Sequence, residues 1–327
     1  MTNGPTDAGA GRPEPEVVEP APTVVVVGAA ARDLVPDDAR GWRLGGGVSY
    51  SALTTALLGL STGAVIGVDE AASTAPELDL LRQAGVDVRL VPLEHGPVFV
   101  NIERPEGRHQ LCEERSDPLP VDAVPDAWLD VQGWILAPVA AELPAGWADL
   151  PPDDAFVGLG WQGLLRELVP GEPTRHVPPH DDPIVHRANL VGLSRDDVGR
   201  DADLAALYAL LHRGASLAVT HGDQGGLIVH GPRSAEDEAL AIRHYPPIRS
   251  ANPVDPTGAG DVFLAALSAA RIEPRLVGGR AAQGFDLLLA AAAASLVLEG
   301  PGMLGVPTRD AVRARMAKAM RPAEPAG

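Results

Sequence analysis

NPVDPTGAGDVFLAAL, residues 252–267, lies late in the chain and combines a glycine-rich turn with the start of an apolar segment. Gly258 and Gly260 have no side chain, so the backbone there can approach a ligand closely. Asp261 follows and opens a segment over 262–270 with helical apolar spacing. A helix start presents free N–H groups and the positive end of the helix dipole. The stretch therefore predicts an anion cradle, with a carboxylate placed to take a proton from a nucleophile that attacks a bound phosphoryl group.

Strand-like and helix-like segments alternate outward from this stretch. Alternation of this kind predicts βαβ units, an α/β fold with a mainly parallel sheet, helices on both faces and right-handed crossovers. Two strand patterns, VDVRLVPL (86–93) and PVFVNIE (97–103), are candidates to pair with each other. The other strand patterns cover 23–27, 64–68, 133–139, 154–160, 188–193, 216–222 and 226–231, and the helical patterns cover 50–60, 78–84, 204–211, 261–270 and 284–298.

The run from Asp255 to Asp261, DPTGAGD, resembles the signature of the ribokinase, or PfkB, family of carbohydrate kinases. That resemblance implies a three-layer ribokinase-like fold with a β lid. It also implies an anion hole made by the N–H groups of Gly258, Ala259 and Gly260, with Asp261 as general base. Asp255 and Thr257 would lie near the nucleotide phosphates, with Asp255 also near a metal or a monovalent cation. The competing interpretation is a simple turn, with Asp261 serving only as a helix cap.

Three other segments resemble family landmarks. The first runs from Gly28 to Asp33 after the first strand, and Asp33 would bind substrate hydroxyls. The second, GGGVSY (45–50), would bring Gly45 and Gly46 close to the substrate. The third, VTHGDQGG (219–226), would place Thr220, Gly222 and Gly225 at the nucleotide phosphates. The competing interpretations are a solvated loop carboxylate, a flexible glycine loop and a plain hairpin turn.

The sequence also departs from the family pattern. Tyr50 stands where many family sugar kinases have Asn, so the predicted substrate site has a tyrosine in place of that amide. Ser194-Arg195-Asp196-Asp197 stands where the family often has Asn-x-x-Glu. Asp197 would take the place of Glu in a water-mediated magnesium shell, or the segment is only a helix start capped by Ser194. Arg166 is interpreted either as a phosphate clamp or as a solvated arginine on a helix.

The spacing between Asp33 and Gly45 is short, which predicts a reduced lid. We expect residues 1–22 to form a disordered tail, 23–320 to form the ribokinase-like domain with a lid from about 34–45 and 88–112, and 321–327 to form a second tail.

Composition excludes several functions. The formal net charge of -18 and the absence of a basic stripe disfavour nucleic acid and anionic membranes as partners. With a single cysteine, Cys112, no internal disulfide forms, and without a signal-like segment we expect a cytoplasmic protein. A P-loop needs a lysine in its glycine-rich loop, and the only lysine of the sequence, Lys318, is far from any glycine loop. A P-loop kinase is therefore excluded. Aromatic residues make up 4%, so the core is expected to rest on Ala, Val and Leu.

The sequence thus predicts an ATP- and Mg²⁺-dependent kinase that phosphorylates a hydroxyl of a sugar, polyol or nucleoside. A monovalent cation and a homodimer are further expectations. The alternative is a non-catalytic ribokinase-fold protein that binds a ligand or regulates a partner. A dinucleotide-dependent oxidoreductase is set aside because Ala30 and Ala31 occupy the turn that would need the glycines of G-x-G-x-x-G.

Overall fold

A computed structural model describes residues 20–36, 38–104, 107–199, 201–232 and 239–321. The predicted tails, 1–22 and 321–327, lie almost entirely outside these ranges. Among the described residues, no helix has the length and apolar character needed to cross a membrane.

The chain alternates between strands and helices, as the sequence predicts. The strands are β1 (Val24–Ala29), β2 (Ala31–Leu34), β3 (Trp42–Gly45), β4 (Thr62–Val68), β5 (Asp87–Pro92), β6 (Val98–Arg104), β7 (Gly107–Glu114), β8 (Gly133–Leu136), β9 (Phe156–Gly160), β10 (Arg166–Glu167), β11 (Glu172–Pro173), β12 (Arg175–His176), β13 (Leu190–Ser194), β14 (Ser216–Thr220), β15 (Gly226–His230) and β16 (Ala241–Tyr245). The helices are α1 (Gly47–Leu58), α2 (Glu77–Gln83), α3 (Pro183–Arg187), α4 (Arg195–Val198), α5 (Leu204–Tyr208), α6 (Ala259–Ile272), α7 (Phe285–Val297) and α8 (Arg309–Ala319).

A nine-stranded sheet forms the middle layer, in the order β16-β15-β14-β13-β9-β8-β1-β4-β5. Its strands are parallel from β5 to β14, and β15 and β16 extend it in antiparallel pairing. β1 lies inside the sheet and is buried along its whole length, which suits its β-branched sequence. The carboxyl ends of the parallel strands share one edge, and the glycines at 222–226 follow one of them, β14, whereas the glycines at 45–47 and 258–260 lie at the starts of α1 and α6.

Two different apolar layers cover the sheet. One face packs against α1, α6, α7 and α8 through Ala, Leu and Val side chains. The other face contains four buried tryptophans, Trp128, Trp134, Trp147 and Trp161. Ala, Val and Leu make up most of both layers, as expected from the sequence, and the few aromatic residues divide between them, with Tyr50, Phe263 and Tyr245 in the first layer.

A second, five-stranded sheet, called the lid here, has the order β11-β7-β6-β2-β3. The short spacing after Asp33 leaves β2 and β3 only four residues each. The predicted lid boundary is wrong in one place, because β5 pairs with β4 in the central sheet and not with β6. A fifth lid strand, β11, comes from the segment after β9 and pairs with β7.

Candidate active site

The start of α6 forms an open, glycine-lined cradle. Gly258 precedes the helix with φ 78°, a conformation that glycine adopts without strain. The first well-formed helical bond runs from the N–H of Val262 to the carbonyl of Gly258. Among the described residues, the N–H groups of Gly260 and Asp261 donate to no carbonyl outside the helix. A β-carbon at Gly260 would meet no atom within 4 Å, so this turn has room for phosphoryl oxygens and fits an anion.

Tyr50 lies directly beneath the cradle. A β-carbon at Gly258 would overlap the ring of Tyr50, and Tyr50 is only 2% exposed. The sequence predicts that Tyr50 contacts the substrate, but in the structure its ring packs against Gly258 under the loop. Direct contact between Tyr50 and an acceptor stays a prediction.

Asp261 is partly buried at the point where the starts of α1 and α6 meet. A β-carbon at Gly47, the first residue of α1, would lie 2.9 Å from Oδ1 of Asp261, so the third glycine of the GGG run makes room for the carboxylate. Burial raises the pKa of Asp261 to about 6; the charge of Arg166 opposes this rise, and the charges of Asp197 and Asp33 add to it. These four charged groups therefore form one electrostatic site.

Asp33 reaches this site from the lid. Its Oδ2 occupies the space that a side chain at Gly45 would need, while Gly46 precedes α1 with φ 89°. Asn101 donates from Nδ2 to Oδ1 of Asp33 at 2.8 Å, and Gln110 donates from Nε2 to Oδ1 of Asn101 at 2.9 Å. The sequence analysis did not identify Asn101 or Gln110, since each stands in a strand pattern without a motif around it.

Arg166 belongs to an irregular segment, residues 166–176, which we call the arm. In the arm, β10 pairs with β12, and β11 joins the lid. The interpretation of Arg166 as a solvated helix arginine is wrong, because the residue is partly buried in β10 and its charge lowers the pKa of Asp261. The arm contains only two-residue strands, so the sequence carries no periodic signal for it.

The predicted nucleotide side lies at the ends of β14 and α7. The loop between β14 and β15 is the tight antiparallel connection considered above as a plain hairpin turn. Gly222 opens on unoccupied space, whereas Gly225 packs against the backbone of residues 245–247, so only Gly222 has room for a ligand at its α-carbon. The hydroxyl of Thr220 lies 3.4 Å from the carbonyl of Leu193.

Asp255 holds two backbone segments together. Its carboxylate accepts hydrogen bonds from the N–H of Thr257 at 2.9 Å and from that of Gly302 at 3.0 Å. These bonds fix the turn that leads into the cradle. A role for Asp255 and Thr257 at the nucleotide or at a cation stays a prediction beside this structural one.

Asp197 has a structural role of its own. It completes a capping box at the start of α4, where its Oδ2 accepts from the N–H of Ser194 at 2.8 Å. Its Oδ1 accepts from Nε2 of Gln162 at 3.0 Å. No cluster of three or more His, Cys, Asp or Glu side chains suited to a metal occurs in the part of the chain that the structure describes. Asp197 therefore fits a magnesium ion only as an outer, water-mediated partner of an ion carried by phosphates.

Glu142 is a further residue that the sequence did not single out. It is 1% exposed and accepts hydrogen bonds from the N–H groups of Ala29, Val139 and Ala140. Burial raises the pKa of Glu142, and these N–H groups oppose the rise. The carboxylate ties the end of β1 to the loop after β8.

The fold and site together define a three-layer α/β protein with a β lid, whose strand ends bring an acidic residue to a helix-start anion cradle. Residues 190–309 match the model of the pfkB family of carbohydrate kinases. This part of the chain, which includes the cradle and Asp261, is thus matched to the ribokinase, or PfkB, family.

Two curated relatives match parts of the chain. One is the bifunctional protein HldE of Pseudomonas aeruginosa, 32% identical over 244 residues, covering 69% of this chain and 47% of the relative. The other is a nucleoside kinase of Methanocaldococcus jannaschii, 28% identical over 164 residues, covering 47% of this chain and 48% of the relative. The chain thus spans about half the length of the curated relatives it matches.

Solved structures share the fold over most of the chain. A pyrophosphate-dependent kinase in the ribokinase family, complexed with a pyrophosphate analogue and myo-inositol, aligns with a TM-score of 0.67 and 19% identity over 89% of this chain and 99% of that one. Ribokinase of Arabidopsis thaliana complexed with ribose and ATP aligns with a TM-score of 0.63 and 19% identity over 90% and 99%. At this level of identity, the likeness establishes the ribokinase fold.

Proposed function

We propose that this protein is a kinase that transfers the γ-phosphoryl group of ATP to a hydroxyl of a sugar, polyol or nucleoside. One observation carries the proposal: the carboxylate of Asp261 lies at the open start of α6, between the glycine cradle and the lid residue Asp33. The family match and the names of the relatives, which include a nucleoside kinase and a ribokinase, support the same reaction class.

Each residue has a distinct task in this reaction. The N–H groups at Gly258–Gly260 bind the oxygens of the phosphoryl group, and the dipole of α6 stabilises the charge that spreads over them. Asp33 binds a hydroxyl of the acceptor and holds it in line. Asp261 accepts the proton of the attacking hydroxyl as the bond to phosphorus forms. Arg166 compensates the negative charge gathered beside Asp261.

Magnesium bound with the phosphates would supply charge compensation for the transfer. Both oxygens of Asp197 already accept hydrogen bonds from the protein. Asp197 would therefore contact the magnesium ion only through a water molecule. Thr220, Gly222 and the turn at Asp255 would line the nucleotide side, with Gly225 shaping the loop. A monovalent cation near Asp255 and a homodimer remain predictions.

The test is an assay of phosphoryl transfer by the full chain with Mg²⁺ and a pool of sugars, polyols and nucleosides. We expect ADP release that depends on one acceptor class. Asp261→Asn should lower kcat by about 10²-fold or more while nucleotide binding is kept, because the variant loses the base but not the cradle. Parent-like turnover by this variant would contradict the role of Asp261.

Pyrophosphate belongs in the same assay as a second donor, because one neighbouring structure is that of a pyrophosphate-dependent kinase. The non-catalytic alternative makes a different forecast: acceptors would raise the melting temperature, but neither donor would be consumed. The capping box at Ser194 and Asp197 is the observation that favours this alternative, because it accounts for Asp197 without a metal ion.

A further inference from the structure

A cleft lies at the far end of α6 from the cradle. α6 has 14 residues, and at about 1.5 Å a residue it carries the chain roughly 20 Å away from Gly258. The 3₁₀ turn Pro274–Val277 follows α6, and α7 begins at Phe285. α8 packs beside this connection and completes a cleft of about 290 Å³, which we call the distal cleft. The lining residues used below are Arg275, Arg280, Phe285, Arg313, Met316 and Met320.

The floor of the distal cleft is apolar. Met316 is 8% exposed, whereas Met320, about one turn further along the chain, is 52% exposed. Phe285 is partly buried, and the guanidinium of Arg280 lies over its ring, 3.8 Å from the ring centroid. Methionine is unbranched and flexible, so these side chains can adjust to an apolar group of another molecule. The floor can therefore hold one large apolar side chain.

The rim of the distal cleft is positive. Within the described residues, Arg280 and Arg313 form no ion pair with an acidic side chain, and Arg275 lies 4.0 Å from Glu273. The chain has 44 acidic residues against 26 lysines and arginines, so acidic partners for these cations would be easy to supply. The three arginines are instead exposed. A group of positive charges on a chain of net charge -18 attracts an acidic molecule to this one place.

The size and charge of the distal cleft favour a protein segment over a small molecule or a nucleic acid. Sites that enclose small ligands usually have volumes of about 300–1,000 Å³, and this cleft lies at the lower limit of that range. Nucleic acid binding rests on many phosphate contacts, of which three arginines can supply few. Arginine, methionine and aromatic residues are enriched where proteins bind one another.

We propose that the distal cleft binds an acidic segment of a partner protein. One large apolar side chain of that segment packs on Phe285 and Met316, and carboxylates on either side of it pair with the three arginines of the rim. Because the length of α6 separates the cleft from the cradle by roughly 20 Å, a partner bound there leaves the candidate active site open. The inference goes beyond the proposed function and does not depend on it.

The test uses the full chain and fluorescein-labelled peptides with blocked ends. EEFEE has both the acidic residues and the apolar side chain, QQFQQ lacks the charges, and EEAEE lacks the apolar group. Fluorescence anisotropy should give a Kd below about 1 mM for EEFEE, and the other two peptides should bind about 5-fold more weakly or worse. Raising NaCl from about 50 to 300 mM should weaken binding of EEFEE, because salt screens exposed charges.

Variants of the protein locate the binding. The double variant Arg280→Met, Arg313→Met should weaken binding of EEFEE about 10-fold, or about 3-fold for each exposed ion pair. Its matched control is Arg82→Met, Arg175→Met, which removes two exposed arginines outside the cleft and should leave the Kd unchanged. Met320→Glu, at an exposed position, adds a carboxylate to the cleft and should also weaken binding.

Equal affinity of the parent and the Arg280→Met, Arg313→Met variant for EEFEE would overturn the proposal. A Kd above about 1 mM for the parent, or an unchanged Kd in Met320→Glu, would do the same. The last arm of the test replaces the peptide with a short DNA duplex and with inorganic tripolyphosphate. If either binds the parent more tightly than EEFEE and loses affinity in the double variant, the cleft is a phosphate site and the acidic segment is the wrong occupant.

Discussion

At the scale of single residues, the candidate site is governed by the charge balance around Asp261. Three carboxylates, those of Asp33, Asp197 and Asp261, interact electrostatically with one another, and Arg166 is the cation that opposes them. Like charges disfavour ionisation, and a nearby cation favours it. A general base must be ionised to accept a proton, so this balance sets the pH range in which the site can work.

The pH dependence of kcat/KM should report this balance. Because burial raises the pKa of Asp261 to about 6, we expect kcat/KM for the acceptor to fall as pH drops through about 6. Arg166→Met removes the group that lowers this pKa, so the acidic limb should move to higher pH by about one unit. The measurement is a pH–rate profile between pH 5 and 9, roughly the range over which such limbs are resolved.

Arg175→Met provides the comparison for this experiment. Arg175 lies on the same arm but is exposed and paired with Glu172, and it has no part in the pKa shift of Asp261. Its acidic limb should coincide with that of the parent. A limb that stays in place in Arg166→Met would mean that the two charges do not interact as described.

At the scale of elements, sequence reasoning succeeded where a motif coincided with a strong period. The start of α6 follows from a glycine pair, an acidic residue and an apolar repeat, and β1 follows from its valine run. Sequence reasoning failed where structure depends on partners distant in the chain. β11 is two residues long and exists because β7 offers an edge, and Asn101 becomes part of the site only through its pairing with Asp33 and Gln110.

The contact between α1 and the cradle yields a prediction for these two elements. Gly258→Ala places a β-carbon on the ring of Tyr50 in a backbone with φ 78°. We expect a loss of about 2–4 kcal/mol in the free energy of unfolding, from the left-handed backbone and the overlap together. Tyr50→Leu should recover the overlap part, so the double variant should lose less than the sum of the single variants, as urea denaturation would measure.

The same cycle with Trp147→Phe serves as its control. Trp147 is buried on the opposite face of the central sheet, so its effect and that of Gly258→Ala should add. Additivity in the Tyr50 cycle as well would show that the ring does not limit the space at Gly258.

At the scale of the whole molecule, the candidate site lowers the stability of a chain that already has a net charge of -18. The central sheet and its two apolar layers stabilise the chain, while the site gathers carboxylates at one edge of the sheet. Active sites often carry such a cost, because a group tuned for chemistry is not tuned for stability.

The stability of the protein should therefore depend on pH through Asp261. Its pKa lies near 6 in the folded state, above the ordinary value of 3.8, so its ionisation is less favourable in the folded chain than in the unfolded one. Stability from this group is greatest below the ordinary pKa and is lost as pH rises through about 6. Asp261→Asn, which mimics the protonated form, should stabilise by at most about 3 kcal/mol at pH 8 and by only about 1 kcal/mol at pH 4.5. Urea denaturation of parent and variant at the two pH values measures both differences. Asp153→Asn, at an exposed position, is the control and should show neither difference. A gain that grew toward acidic pH would contradict a raised pKa for Asp261.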